Sequence, residues 1–251
     1  MIPSILAIFG GLILLVYGAD RFVMGAAGTA RALGVSPLII GLTVVGFGTS
    51  APEILVSGTA AWKGNPGLGF GNAIGSNITN IALVLGITAL VMPLTVHSQT
   101  LKREFPALLV ISIGSWLLVI DGHISRLDSA ILLGSIVVLL GLLAFIAIKK
   151  KLNDPIIAEF SDEIPQDMPI SRGFFWLLVG LVLLLVSSHI LVWGAVNIAR
   201  LVGVSDLVIG LTIVAIGTSL PELAASAMSA LKKEHDLVIG NIIGSNMFNL
   251  L

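Results

Sequence analysis

The stretch Gly-Leu-Thr-Val-Val-Gly-Phe-Gly-Thr-Ser-Ala-Pro-Glu at 41–53 returns without a gap as Gly-Leu-Thr-Ile-Val-Ala-Ile-Gly-Thr-Ser-Leu-Pro-Glu at 210–222. The same offset holds from Arg31/Arg200, through Gly-Asn-Ala-Ile-Gly-Ser-Asn at 71–77 and Gly-Asn-Ile-Ile-Gly-Ser-Asn at 240–246, to Asn80/Asn249. Roughly half of the paired positions are identical, which makes this an internal repeat. Both copies lie in apolar sequence. The chain therefore has to fold as two related halves, each carrying a proline and then a glutamate inside a hydrophobic segment.

With 56% hydrophobic and 11% charged residues and a mean hydropathy of +1.07, the chain reads as an all-α membrane protein. Its first partner is the lipid bilayer. A net charge of −1 excludes a basic nucleic-acid surface, and the absence of cysteine removes disulfides and thiolate metal sites. The apolar run from Ile5 has no basic leader, so it reads as a retained helix and not a signal peptide.

Segments long enough to cross about 30 Å of hydrocarbon lie near 4–30, 37–62, 68–93, 104–120, 128–148, 173–199, 206–231 and 237–251. Five crossings separate the two glutamate segments, so the copies run in opposite directions and form an inverted repeat. The expected division is a first repeat at 1–148, a linker at 149–172 and a second repeat at 173–251. Counting Lys and Arg near the segment ends puts the N-terminus outside and the linker in the cytoplasm. Arg31, Lys102, Arg103, Lys149, Lys150, Lys151, Arg172, Lys232 and Lys233 then face inward, against Lys63, Arg126 and Arg200 outside. The acidic stretch 154–167 has no EF-hand pattern and reads as a solvated linker.

Pro52 and Pro221 have no N–H for the carbonyls of Gly48 and Gly217, so both helices must bend or open there. In hydrocarbon a freed carbonyl has to face protein, water or an ion. Glu53 and Glu222 would each cost about 2.5–3.5 kcal/mol if left unpaired at mid-membrane. No Lys or Arg lies within either break. Asn72, Ser76 and Asn80 form an i, i+4, i+8 stripe, mirrored by Asn241, Ser245 and Asn249. Hydroxyls and freed carbonyls at Thr49, Ser50, Thr218 and Ser219 complete an all-oxygen set with two carboxylates, which suits Ca²⁺ or several Na⁺. Protons should compete with the metal. The absence of His and thiolate argues against zinc or copper.

Other candidates carry less. Asp20-Arg21 reads as a local ion pair or interfacial anchor, and His189, at Asp20's repeat position, as a satisfied buried or interfacial histidine. An intramembrane hydrolase would need His-Glu-x-x-His or a nucleophile with its base, and the apolar segments contain neither. The chain is not expected to be an enzyme or to hold a resident cofactor, and nothing in it specifies an oligomer.

Gly-Thr-Ser-x-Pro-Glu with Gly-Asn-x-x-Gly-Ser-Asn, twice and in register, resembles the cation/calcium exchanger superfamily, in particular the prokaryotic sodium/calcium antiporters. The resemblance implies a ten-helix inverted-repeat transporter fold, of which about eight helices would be present here. It also implies a plasma (inner) membrane location and Na⁺/Ca²⁺ antiport by alternating access, with the first and sixth segments as a sliding gate. The implied calcium ligands are Glu53, Glu222 and the carbonyls of Thr49 and Thr218. The implied sodium cages are Gly46, Ser50 and Ser245 in one half and Ala215, Ser219 and Ser76 in the other. Asn80 and Asn249 stand where some relatives carry aspartate, and two amides there argue against potassium co-transport. A cation/proton exchanger, or an incomplete chain that does not transport, are the alternative expectations.

Overall fold

The protein's computed structural model describes residues 1–150 and 168–251. The acidic stretch 154–167 and most of the expected linker lie outside the described residues. Helices account for all the regular structure among the described residues. They are α1 (Ile2–Leu33), α2 (Pro37–Thr49), α3 (Ala51–Trp62), α4 (Pro66–Val91), α5 (Ser98–Leu118), α6 (Arg126–Lys150), α7 (Ile170–Leu201), α8 (206–218), α9 (Leu220–Leu231) and α10 (His235–Leu250).

Four helices, α1, α4, α6 and α7, are long and apolar enough to span a bilayer alone, and α2–α3 and α8–α9 each make one broken span. The remaining predicted crossings, 104–120 and 237–251, are α5 and α10. α5 carries Lys102, Arg103 and Glu104 within its first two turns, and α10 has 16 residues. Both therefore fall outside a simple criterion of length and charge.

α1 and α7 are repeat partners packed antiparallel, so the two halves do run in opposite directions. Small residues recur every seventh position on both helices: Ser4, Gly11, Gly18 and Gly25 on α1, and Gly173, Gly180, Ser187 and Gly194 on α7. A seven-residue period keeps one seam facing the partner, and small side chains let backbones approach closely. A Cβ on Gly25 would collide with the Leu177 backbone, and one on Gly180 with the Phe22 backbone. Phe22, Leu15, Leu177 and Leu184 are buried along this seam.

On one face, the Arg31–Glu234 ion pair (3.1 Å) and the His97–Asp236 contact (3.8 Å) tie together the ends of α1, α5 and α10. We call this the basic face. The expected anchor at Asp20-Arg21 is present, with Asp20 3.7 Å from Arg21 and 2.8 Å from Lys232. Arg21 also stacks on Tyr17 and Trp176. His189 is exposed on α7, which leaves the interfacial reading of it and removes the buried one.

The seam predicts a contrast between two glycines. Gly180→Val should destabilise the fold by roughly 1–3 kcal/mol through overpacking, whereas Gly10, with no atom within 4 Å of its Cβ position, should tolerate valine. Thermal unfolding of the two variants in detergent measures the difference.

Candidate ion-binding site

The two broken spans place the site. The chain turns at Ser50 and Ser219, bending the helix pairs by 47° and 50°. Pro52 and Pro221 sit just beyond, where the missing N–H does least harm to the new helix. Each new helix carries its glutamate in the first turn, where free N–H groups and the helix dipole favour a negative charge. Wide π-turns precede both breaks, at Gly41–Val45 and Gly210–Val214, and a third occupies Asn80–Leu85. Such turns loosen the regular ladder near sites of this kind.

Glu53 is 2% exposed and Glu222 1%. The repeats reach across to each other. The Ser50 hydroxyl donates to Glu222 Oε1 at 3.1 Å. Ser219, the repeat partner of Ser50, is buried at the second break. Among the described residues, both Glu53 carboxylate oxygens, Glu222 Oε2 and Ser219 Oγ have no hydrogen-bond partner. Buried carboxylate oxygens left unpaired are unstable unless a positive charge or proton joins them. The described residues contain no cluster of three or more His, Cys, Asp and Glu. Any cation bound here would therefore rest on two carboxylates with neutral oxygens around them.

The stripe residues divide into separate jobs. Asn72 Nδ2 donates to the Glu53 carbonyl (3.1 Å) and Ser57 Oγ (3.0 Å). Asn241 Nδ2 does the same to the Glu222 carbonyl (3.3 Å) and Ser226 Oγ (2.9 Å). The first amide of each stripe thus fastens its own glutamate's backbone. Ser57 and Ser226, identical in the two copies, were the readable signal for this clasp. The Asn77 amide reaches the carbonyl of its repeat partner Asn246 at 3.3 Å, so the pseudo-two-fold axis passes between them. Asn80 Nδ2 donates to Asn246 Oδ1 (3.4 Å), while Asn80 Oδ1 and Asn249 Nδ2 remain unpaired. Neither Asn80 nor Asn249 hydrogen-bonds a glutamate among the described residues.

The two halves of the predicted set are not equally enclosed. Ser245 Oγ donates to the Gly46 carbonyl at 3.3 Å, and Thr49 Oγ1 to Asn241 Oδ1 at 3.0 Å. Gly46, Thr49, Ser50 and Ser245 are all buried. Among their repeat partners Ser219 and Ser76 are buried too, whereas Ala215 is exposed and Thr218 half-buried. Thr218 donates to the Ala215 carbonyl (3.1 Å) as Thr49 does to the Gly46 carbonyl (3.4 Å), and among the described residues Ser76 makes no bond to Ala215. Val45 is 3% exposed against 37% for Val214.

A further asymmetry concerns the freed carbonyls. Ser188 on α7 donates to the Gly217 carbonyl at 2.7 Å. Its repeat partner is Ala19, and among the described residues no side chain donates to the Gly48 carbonyl. Ser188 was invisible to the sequence reading because a lone serine in an apolar helix has no distinguishing pattern.

Comparison with known proteins places this geometry. The family profile described as sodium/calcium exchanger protein matches residues 3–153 and 172–251. The protein named antiporter CaxA from Alkalimonas amylolytica is 51% identical over 251 residues, covering all of this chain and 79% of that protein. Sodium/calcium exchanger MaX1 from Methanosarcina acetivorans is 30% identical over 273 residues, covering 96% of this chain and 78% of its own length. The solved structure of the sodium/calcium exchanger from Methanococcus jannaschii superposes with a TM-score of 0.84 at 37% identity, covering 99% of this chain and 78% of that one.

Ser188→Ala should leave the Gly217 carbonyl unsatisfied and lower stability by roughly 1–3 kcal/mol. Thermal unfolding of the variant against wild type reads this directly.

Proposed function

This chain belongs to the sodium/calcium exchanger protein family, and from that premise we propose that it is a secondary antiporter exchanging Na⁺ for Ca²⁺ across the membrane by alternating access. The observation that carries the proposal is the pair of buried glutamates at the crossing of two broken helices, with three of their four carboxylate oxygens unpaired. Two carboxylates among hydroxyls and carbonyls make a hard oxygen site whose charge balances one divalent ion or two monovalent ones. In this reading Ca²⁺ binds Glu53, Glu222 and the Thr49 and Thr218 carbonyls. Na⁺ binds at Gly46, Ser50 and Ser245 and at Ala215, Ser219 and Ser76, with the glutamates shared. Asn80 and Asn249 line the site as neutral ligands. Ca²⁺ and Na⁺ are cargo, and the protein holds no resident cofactor.

The same reading places the chain in the plasma membrane with its N-terminus outside and the basic face toward the cytoplasm. Residues 1–148 and 173–251 are then the two repeats, with 149–172 as a cytoplasmic connection. Clustering of Arg31 and Lys232 at the basic face supports that orientation. On the basic side α2 packs closely on α10, with Gly41 against Gly240 and Gly46 against Gly244 and Ser245.

A second reading rests on the same unpaired oxygens, since they would also accept protons, making the chain a Ca²⁺/H⁺ exchanger. Radiolabelled calcium uptake into vesicles separates the two. A sodium gradient should drive uptake where a pH gradient does not, and Glu53→Gln or Glu222→Gln should abolish it almost completely. Uptake driven by the pH gradient alone would select the proton reading. Full activity in both glutamine variants would overturn the site.

A further inference from the structure

We propose that Arg21 and Lys232, with Tyr17 and Trp176 beside them, form a site for the phosphate of one anionic phospholipid in the leaflet at the basic face. The site lies apart from the paired glutamates and would stand whatever ion the chain carries.

The starting observation is a set of donors with too few acceptors. The Arg21 guanidinium lies over the rings of Tyr17 and Trp176, 4.9 Å from each centroid. Its nearest acid, Asp20, is 3.7 Å from Nε, too long for a hydrogen bond. Among the described residues the buried Nε has no hydrogen-bond partner. Asp20 is already engaged by Lys232 at 2.8 Å. Two cations thus share one carboxylate, and the cluster keeps one net positive charge. The side chains of Arg21 and Lys232 are each 31% exposed and that of Asp20 35%, so the spare donors open outward and not into the core.

Depth narrows what can meet those donors. Arg21 lies ten residues before Arg31, roughly 15 Å further along α1 from the basic face. Lys232 reaches toward it from the turn between α9 and α10. An unbalanced positive charge below the headgroups is costly, and long basic side chains with Trp and Tyr around them gather where headgroups begin. The acceptor abundant at that level is lipid phosphate. A guanidinium edge can bind two of its oxygens at once.

The repeat separates this cluster from the ion path. Glu53, Thr49 and Ser50 all recur at the paired positions, whereas Tyr17, Arg21 and Trp176 correspond to Val186, Ile190 and Ala7. Lys232 alone has a basic counterpart, Lys63. A feature needed for passage from both sides would occur twice. One that reads a single leaflet needs to occur once. Charge then selects the lipid: a phosphatidylglycerol headgroup carries one negative charge and neutralises the cluster, while phosphatidylcholine brings its own cation. Inorganic phosphate has the charge but no acyl chains to hold it at this depth.

Native mass spectrometry of the chain in detergent, titrated with dioleoyl phosphatidylglycerol, dioleoyl phosphatidylcholine or inorganic phosphate, tests the site. Wild type should bind the first phosphatidylglycerol roughly 5- to 30-fold more tightly than phosphatidylcholine, and inorganic phosphate should not displace it. Arg21→Gln and Lys232→Gln should each remove most of that preference. Arg126→Gln takes the same charge from an exposed position at the start of α6 and should keep it. Should a glutamine variant fail to fold, Arg21→Lys, which keeps the charge and loses the planar donor edge, should still lower the preference. No preference in wild type, or an equal loss in Arg126→Gln, overturns the site. So does the signature of a merely structural ion pair, in which the Arg21 and Lys232 variants unfold at lower temperature but keep the lipid preference. Displacement by an equal concentration of inorganic phosphate would assign the site to a free anion and overturn the lipid.

Discussion

Two carboxylates and two interrupted helices have to be kept in a medium that offers no water. That constraint organises everything else in the molecule. A break in a membrane helix exposes backbone groups that cost several kcal/mol if orphaned, and a glutamate beside the break adds a charge. The fold meets both demands by making each repeat complete the other. Ser50 of the first repeat holds Glu222 of the second, and Thr49 of the first holds Asn241 of the second. The Asn72 and Asn241 amides fasten the glutamate carbonyls from the next helix along. Among the described residues three of the four carboxylate oxygens stay unpaired, where a cargo cation would enter in the proposed reading.

A two-fold arrangement around one ion site cannot remain symmetric and still open to only one side of the membrane. Here the difference is confined to a narrow part of the structure. α1 and α7 pack through a seam that is alike in both halves, and the asparagine clasps match bond for bond. α2 and α8 differ in exposure: Val45 is buried where its repeat partner Val214 is exposed, and Gly46 is buried where Ala215 is exposed.

Much of this was legible in the sequence, and the reason is the repeat. A motif met once could be a packing kink. Met twice, in register and with opposite orientation, it identifies the broken spans, the paired glutamates and the polar stripes. What could not be read was direction. Asn72 and Asn241 share a stripe with Ser76 and Ser245, and spacing alone does not say that the first amide turns to backbone while the serine turns to the site. Nor could it say that Gly46 and Ala215, or Thr49 and Thr218, would occupy unlike surroundings, because a repeat in the letters does not tell where its two copies differ in packing. The heptad of small residues on α1 and α7 was visible in the letters but unremarked beside the stronger signal of the prolines. Repeat position did not say whether His189 would be buried or interfacial, because it carries chemistry only where the two residues match, and His189 and Asp20 do not.

The charge count supplies a last step. With amides at Asn80 and Asn249, the site offers two formal negative charges, and both sit on the residues shared between the proposed calcium and sodium positions. A divalent ion would neutralise them completely, leaving the flanking cages with only neutral oxygens and no electrostatic reason to retain Na⁺. Conversely, sodium ions in those cages would take up the charge that Ca²⁺ requires. Competition for one carboxylate pair is then enough to make occupancy mutually exclusive, with no separate sensing device. If the gate between sides moves only when those charges are balanced, an empty site with its repelling carboxylates is held back from crossing, and the exclusion becomes obligatory exchange. Coupling in such a molecule follows from the small number of its acids.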